Sequence, residues 1–287
     1  MMVKQHRAVL LIWCQDNKGI TAAVTNFIAS NNGNIIHADQ HIDEQTKTFF
    51  MRIEWMLDGF AICEEKILDK FSPIAEKFQM DYNLYFSDQI PAAAIFVSRH
   101  MHCLYDLLLR HKEGHFNCRI PIIISNHTDA KPIADTFGIK FYHIPITKEN
   151  KLEQEKKELD ILHASGIDIL ILARYHQILT GSFVDEFPNR IINIHHSFLP
   201  AFAGSDPYGQ AYRKGVKIIG ATSHYVTEQL DQGPIISQDV VKISHRESLQ
   251  DIIRKGQDLE KIVLSRAVQW HLERKILVYN NKTVVFN

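Results

Sequence analysis

The chain has 287 residues, of which 45% are hydrophobic, and its 32 basic residues nearly balance its 33 acidic ones. This length leaves room for two modest domains, and the hydrophobic content is that of a folded protein rather than a disordered one. With a net charge of -1 we expect no nucleic-acid partner, because binding nucleic acid requires a basic surface. No apolar run approaches the ~20 residues of a membrane helix, so we expect no membrane partner either.

The four cysteines predict free thiols rather than disulfides or a zinc site. Cys14, Cys63, Cys103 and Cys118 form no close pair and show no zinc-ligand spacing. We expect them to be reduced and mostly buried, as cysteines are in reducing compartments. The first apolar run, residues 8–13, is too short for a cleavable leader. These features predict a cytoplasmic protein.

Residues 1–86 are predicted to form one domain with the order βαββαβ. Alternating or continuous apolar runs predict the strands, and apolar residues at helical spacing predict the two helices. Asn31, Asn32 and Gly33 end the first helix, because asparagine and glycine tolerate the left-handed turn at a helix end. The predicted strands are residues 8–13, 35–42, 48–55 and 81–86, and the predicted helices are residues 19–30 and 63–78. This order is the ferredoxin-like arrangement.

A second domain is predicted over residues 93–287, after a linker at residues 87–92. Apolar strands there alternate with helices, which is typical of a mostly parallel, Rossmann-like sheet covered on both faces. The predicted strands are residues 93–98, 119–125, 168–173 and 190–194, and the predicted helices are residues 104–111 and 150–165. A hairpin around Asn280 and Asn281 ends the chain. The fold class is therefore α/β.

The most informative motif lies at the end of the strand at residues 190–194. Asn193 and His195 are two residues apart, so strand alternation places both side chains on one face. Asp231 lies in a loop of turn residues and can add a carboxylate. Ligands of such sheets bind beyond the carboxyl ends of the strands. An amide, an imidazole and a carboxylate that converge there are what formyl transfer or formyl hydrolysis requires.

The 16 histidines raise the question of a metal site. His100 with His102, and His195 with His196, are the closest pairs, but neither pair has a convincing third ligand. We expect no metal. We expect His196 to point to the face of the strand opposite His195 and to act as a supporting residue.

The whole chain resembles the bacterial formyltetrahydrofolate deformylases. The Asn-x-His stretch at residues 191–200, followed by an aspartate 38 positions after Asn193, is highly specific to the formyltransferase superfamily. The double histidine and an N-terminal segment that resembles an ACT domain indicate the deformylase branch. The stretches that carry the resemblance are residues 14–20, 33–41, 123–127, 172–175, 191–200, 217–222 and 278–286.

This resemblance implies an ACT domain for regulation or oligomerisation, joined to a hydrolase domain of the formyltransferase type. The implied activity is hydrolysis of 10-formyltetrahydrofolate to formate and tetrahydrofolate, in which the folate is the substrate and no cofactor is needed. Such an enzyme would balance the one-carbon pool and supply formate for purine synthesis.

The resemblance also assigns site residues. It implies that Asn193, His195 and Asp231 are catalytic and that Ser197, Thr222 and His224 support them. The residues implied to line the folate pocket are Arg174, Tyr175, His176, Gln177, Ile178, Leu179, Leu230, Gln232 and Gly233.

Three positions depart from the family pattern. His176 stands where the family usually has methionine, Gly209 stands where histidine or lysine is common, and Ala203 replaces a frequent proline. The first two are expected to affect substrate affinity rather than reaction type.

Two readings of the ACT domain stay open. Asp16, the turn at Gly33, and Asn34 could bind an amino-acid effector at an ACT interface. Alternatively, the domain only dimerises. In either case we expect a homodimer or a homotetramer.

Two alternatives to a hydrolase are a formyltransferase with an amine acceptor and a non-catalytic sensor of folate and amino acids. A ribonucleotide acceptor needs a phosphate cradle, usually a glycine-rich loop at a helix start. Residues 97–103 occupy that place and contain no glycine, although Arg99, His100 and His102 could still hold an anion. This favours water as the nucleophile.

Overall fold

The computed structural model describes residues 6–201 and 206–287, so Ala203 lies outside the described residues. The chain forms two compact units. The first extends to Ile90 and also includes Arg274–Leu277 and Val284–Asn287; the second consists of Pro91–Glu273 and Val278–Thr283. The C-terminal hairpin, which was predicted to belong wholly to the second domain, has its outer ends in the first unit.

The first unit has the predicted βαββαβ order. Its sheet has the strand order β2-β3-β1-β4, and all neighbouring strands are antiparallel. The elements are β1 (Arg7–Gln15), α1 (Ile20–Ser30), β2 (Asn34–Asp43), β3 (Thr48–Met56), α2 (Glu64–Phe78) and β4 (Asp81–Phe86). The ferredoxin-like prediction is confirmed, and the bounds differ from the predicted ones by at most two residues.

The core of this unit follows from two periodicities. Leu10 and Ile12 alternate along β1 and are buried, while Val24 and Ile28 are one turn apart on α1 and pack into the same cluster. Gly33 lies in the turn between α1 and β2, directly before β2, and a Cβ atom there would overlap the Ile28 side chain. The chain can therefore turn this tightly into β2 only with glycine at that position.

The second unit contains a seven-stranded sheet with the order β11-β10-β9-β8-β5-β6-β7. The strands β5 to β9 are parallel to one another, and β10 runs antiparallel to both β9 and β11. The strands are β5 (Ala92–Val97), β6 (Arg119–Ser125), β7 (Lys140–His143), β8 (Ile169–Ala173), β9 (Ile191–His195), β10 (Ile218–Tyr225) and β11 (Ile235–Lys242). The prediction of a mostly parallel sheet is confirmed.

Six helices lie in the part of this unit that the structure describes. They are α3 (His102–Lys112), α4 (Lys131–Phe137), α5 (Lys151–Ala164), α6 (Gly181–Asp185), α7 (Pro207–Lys214) and α8 (Leu249–Leu272). The chain leaves β5 for β6 on one side and later returns to β8 on the other side of β5, so the winding direction changes between β5 and β8. Open α/β sheets bind ligands at the carboxyl ends of strands at such a point.

The C-terminal hairpin consists of β12 (Ile276–Tyr279) and β13 (Lys282–Val285), as expected around Asn280 and Asn281. Among the described residues, no helix combines the length and the apolar character needed to cross a membrane. The four cysteines are free, and Cys63 is the exposed one.

Candidate active site

Two neighbouring strands position the amide and the imidazoles. Asn193 lies inside β9 and His195 is its last residue, so both are part of the strand rather than beyond it. In the antiparallel register with β10, His224 lies opposite Asn193, and Thr222 lies opposite His195. Directly paired residues share a face of the sheet, so four polar side chains lie together at this edge.

Asp231 joins this group from the loop between β10 and β11. Its Oδ2 lies 3.2 Å from Nδ1 of His195, and its Oδ1 lies 3.7 Å from Nε2 of His224. The Asp231 backbone is left-handed, with a φ of 56°. The structure thus brings Asn193, His195 and Asp231 to one place, together with His224.

His224 fixes the orientation of the Asn193 amide. Nδ1 of His224 lies 2.8 Å from the carbonyl oxygen of Tyr225, which can only accept, so Nδ1 carries the hydrogen. In the neutral ring Nε2 is then an acceptor, and it lies 3.2 Å from the side-chain nitrogen of Asn193. One amide N–H therefore points to His224, which leaves the other for a ligand.

The surroundings of Asp231 favour its ionised form. Burial by itself would raise its pKa, but the pKa lies well below the usual 3.8, and the hydrogen bond from His195 is the largest cause that lowers it. Since the carboxylate accepts from Nδ1 of His195, the other ring nitrogen faces elsewhere. This Nε2 is buried and has no hydrogen-bond partner among the described residues, which suits it to contact a substrate.

Ser197 and Thr222 act on the loop after β9 rather than on the catalytic candidates. The Ser197 hydroxyl donates to the Ala201 carbonyl at 2.8 Å. The Thr222 hydroxyl donates to the Ser197 carbonyl at 2.8 Å and accepts from the Leu199 N–H at 3.0 Å. Both side chains therefore fix the path of the chain directly after His195.

A cavity of about 1090 Å³ lies against these residues, large enough for a folate-sized ligand. His195 and His224 lie at its buried parts, whereas Ile178 and Leu230 are 56% and 57% exposed and lie at its open side. Its lining includes every residue that the sequence analysis placed around a folate, namely Arg174, Tyr175, His176, Gln177, Ile178, Leu179, Leu230, Gln232 and Gly233.

Two carboxylates of α5 hold the loop at residues 174–180. Tyr175 donates its hydroxyl to Glu158 at 2.9 Å, and Thr180 donates its backbone N–H to Glu155 at 3.1 Å. Glu158 is completely buried, and burial raises its pKa to about 7. The wall of the cavity is thus tied to the helix at both ends of the loop.

The tip of the C-terminal hairpin also lines the cavity, which the sequence analysis did not predict. Asn281 donates its side-chain N–H to the Gln232 carbonyl at 2.8 Å, and Thr283 donates its hydroxyl to the Ile235 carbonyl at 2.5 Å. These bonds hold the segment that follows Asp231. The prediction of a hairpin was right, but sequence alone does not indicate what its tip contacts.

His196 is not on the face of β9 opposite His195, so that prediction was wrong. The strand ends at His195, and alternation no longer applies to the next residue. The His196 ring lies 5.2 Å from the His195 ring and 5.7 Å from the Tyr208 ring, and it lines the same cavity.

The structure explains why position 209 is a glycine, and it shows what lies beside His176. Gly209 donates its backbone N–H to Asp206, the residue that caps α7, at 3.0 Å, and a Cβ there would overlap the carboxylate of Asp206. His176 lies 5.3 Å from the ring of His100. Partial burial, and then the charge of Arg174, lower the pKa of His176 to about 4.

The residues predicted for an effector are not together within one chain. The backbone N–H of Asp16 donates to Lys47 at one end of β3, whereas Asn34 pairs with Met56 at the other end. Eight residue steps along β3 separate these ends by roughly 25 Å. One chain therefore does not bring Asp16 to Gly33 and Asn34.

Two groups in the described ranges have the composition of a metal site, and the buried one consists of His102, Cys103 and Glu260. Arg174 lies 3.5 Å from Glu260, which adds a positive charge beside the cluster. Burial raises the pKa of the Cys103 thiol well above its usual range, and a metal would require the thiolate. Both observations favour a neutral thiol in the protein without a metal, and the expectation of no metal stays a prediction.

Comparison with known proteins gives two family matches. The family described as formyl transferase matches residues 92–268, and the ACT domain family matches residues 8–70.

Among relatives, the chain is similar to a formyltetrahydrofolate deformylase of Synechocystis, with 56% identity over 97% of this chain and 98% of that protein. The corresponding protein of Bacillus subtilis is 44% identical over 97% of this chain and 93% of its own length.

Solved structures show the same likeness. A formyltetrahydrofolate deformylase of Pseudomonas syringae has a TM-score of 0.96 and 43% identity, and the match covers 100% of this chain and 96% of that one. A glycinamide ribonucleotide transformylase of Symbiobacterium toebii has a TM-score of 0.66 and 28% identity, over 71% of this chain and 98% of that one.

Proposed function

This chain belongs to the formyltetrahydrofolate deformylase family, and from that premise we propose that it hydrolyses 10-formyltetrahydrofolate to formate and tetrahydrofolate. The observation that carries the proposal is the convergence of Asn193, His195 and Asp231 on one cavity of folate size. The family indicates which substrate is bound, and these three side chains are the groups that hydrolysis of its formyl group needs.

The reaction begins with attack of water on the formyl carbon, which turns the carbonyl oxygen into an oxyanion. The free N–H of Asn193 and protonated Nε2 of His195 donate to that oxyanion. A preorganised donor of this kind contributes about 3 kcal/mol to the stabilisation of the transition state. The ionised Asp231 accepts the N–H of Nδ1 of His195 across 3.2 Å and so fixes the orientation of the ring.

Asp231 and His195 can carry out both proton transfers of the reaction. The Asp231–His195 pair takes the proton that the attacking water loses, and a proton from the pair reaches N10 as the bond between the formyl carbon and N10 breaks. Formic acid then loses its proton at neutral pH. No step calls for a metal or an organic cofactor, so we propose that the enzyme uses neither.

Water rather than an amine is the proposed nucleophile. The loop after β5 offers no glycine-rich cradle for the phosphate of a nucleotide acceptor. The relatives that match over nearly the full length bear the name deformylase, whereas the transformylase match covers 71% of this chain.

The physiological role follows from the products. Formate serves purine synthesis, and tetrahydrofolate returns to the one-carbon pool. We propose that the first unit binds an amino-acid effector and forms a homodimer or homotetramer. Since Asp16 and Asn34 lie at opposite ends of β3, an effector site that uses both would combine residues of two copies. The cytoplasmic location inferred from the free cysteines stays a prediction.

The test is anaerobic incubation of the purified full-length chain with 10-formyltetrahydrofolate in the absence of any amine, following formate and tetrahydrofolate together. We expect release of both in a 1:1 ratio. Release only after addition of an amine acceptor would establish a transferase instead. Tight folate binding without release under either condition would establish a sensor.

A further inference from the structure

Arg174 is a buried arginine in a backbone conformation that arginine rarely adopts. It comes directly after β8 and has a φ of 63°, in the left-handed region where a residue with a Cβ is strained. It is 8% exposed. A strained residue persists only where the surrounding structure holds it, and such residues concentrate at functional sites.

Two of the three nitrogens of the Arg174 side chain make no hydrogen bond within the described part of the protein. Nε and Nη1 of Arg174 are buried and have no hydrogen-bond partner among the described residues. Each buried donor left without a partner is costly, so native structures rarely retain one without a reason.

The nearby carboxylate does not remove this deficit. Glu260 of α8 is completely buried, and its Oε2 lies 3.5 Å from Nη1 of Arg174, close enough for an ion pair but without a hydrogen bond. The same carboxylate interacts with His102 at 2.7 Å and accepts the hydroxyl of Tyr208. Glu260 therefore balances the charge of Arg174 while its oxygens are used elsewhere.

The charge of Arg174 changes the pKa values of two nearby histidines. Partial burial is the largest cause that lowers the pKa of both His100 and His176, and the charge of Arg174 is the second largest. Glu260 acts on both imidazoles in the opposite direction, as a negative charge that raises their pKa values. An anion bound here would meet a favourable potential.

Arg174 also lies at the reaction centre. Leu172 of β8 pairs with Asn193 of β9 in the parallel register, so Arg174 is level with His195, two residues further along. All three polar residues line the same cavity. The point is also the carboxyl edge of the sheet next to the change in winding direction between β5 and β8.

We propose that the guanidinium group of Arg174 binds the formate that hydrolysis releases. Formate is a planar carboxylate, and guanidinium is the side chain whose fixed donors suit a carboxylate best. The inference rests on the proposed function, since formate is the product only if the chain is a hydrolase. Arg174 is then the product-binding residue, separate from Asn193 and His195, which act on the oxyanion.

The test measures formate binding directly, without turnover. [13C]Formate is titrated by NMR into the full-length protein saturated with tetrahydrofolate, at an ionic strength held constant with sodium chloride. We expect saturable binding that Arg174→Met weakens about tenfold or more and Arg174→Lys weakens less, because lysine keeps the charge but not the planar donors. Arg246→Lys, at an exposed arginine outside the cavity lining, is the matched control and should bind formate as wild type does.

Glu260→Gln keeps the proposal falsifiable even if Arg174→Met does not fold. Glutamine can still accept the Tyr208 hydroxyl, but it no longer competes for the charge of Arg174, so formate should bind severalfold more tightly. Equal formate affinity in folded Arg174→Met and wild type, or weaker binding in Glu260→Gln, would overturn the proposal. Formate binding that depends on Arg174 in a protein without turnover would instead refute the hydrolase function and leave the anion site standing.

Discussion

The Nε2 atom of His224 lies 3.2 Å from the side-chain nitrogen of Asn193, and Nδ1 of the same ring is held by the Tyr225 carbonyl. His224 thus acts as an acceptor that turns the Asn193 amide so that its second N–H is free for an oxyanion. The carbonyl contact determines which ring nitrogen carries the hydrogen, and through the ring it determines which way the amide points.

Replacement of His224 by alanine should lower kcat by about 10- to 100-fold and leave KM for the folate nearly unchanged. The amide of Asn193 would lose its orientation, and misplaced catalytic groups cost up to about 10²-fold in rate. Steady-state kinetics measures both constants. His245→Ala, at an exposed histidine, is the control, and a His224→Ala enzyme with wild-type kcat would contradict the positioning role.

Glu158 should make the stability of the protein depend on pH. Its pKa is raised from 4.5 to about 7 by burial, so its contribution to folding is complete below pH 4.5 and is lost as the pH rises towards 7. Glu158→Gln has no such titration and still accepts the Tyr175 hydroxyl. The variant should therefore exceed wild type in free energy of unfolding by about 2–3 kcal/mol at pH 8 and show little or no excess at pH 4.5.

Urea denaturation of both proteins at the two pH values measures this difference. A constant difference between wild type and Glu158→Gln across that range would show that Glu158 does not change its protonation there.

Gly233 should tolerate no side chain. A Cβ at this position would overlap the backbone carbonyl of Tyr225, so Gly233→Ala must shift the segment that carries Asp231. We expect destabilisation by about 1–3 kcal/mol, as for overpacking elsewhere, and a loss of activity larger than the loss of folded protein. In Gly181→Ala the nearest atoms belong to the flexible Glu228 side chain, so its midpoint of urea denaturation should stay close to that of wild type.

Gly256 sets two effects of opposite sign against each other. Alanine in the middle of a helix is favoured over glycine by about 1 kcal/mol. However, a Cβ at Gly256 would overlap the Tyr208 ring, and overpacking costs about 1–3 kcal/mol. We expect packing to win, so Gly256→Ala should lower Tm. A raised Tm would mean that Tyr208 moves aside without cost.

The strands and helices of the first unit could be predicted because their apolar residues follow periods of 2 and 3.6. In the second unit β7, β10 and β11 were not predicted, nor were α4, α6 and α7. Helix α8 was not predicted, although Ser248 and Asp251 form a capping box at its start. Its buried face carries Gly256 and Glu260, and this interrupts the apolar stripe that identifies a helix. This interruption is also the sequence signal for a functional role of Glu260, because a carboxylate there occupies a buried position among apolar residues.

The candidate site was predictable in part for a related reason. Asn193 and His195 share one strand, so alternation alone places them together. The contact between Arg174 and Glu260 joins the end of β8 to α8, and that between Asn281 and Gln232 joins the hairpin to the Asp231 loop. No local period links such distant segments, so these contacts emerge only from the tertiary structure.

The single-turnover rate of formate release by Asp231→Asn, compared with wild type under anaerobic, amine-free conditions, tests the proposed mechanism. Asparagine keeps the shape of Asp231 but removes the charge beside His195, so we predict a rate lower by about a thousandfold, with tetrahydrofolate binding retained. A folded Asp231→Asn protein that releases formate at the wild-type rate would contradict the proposed roles of Asp231 and His195.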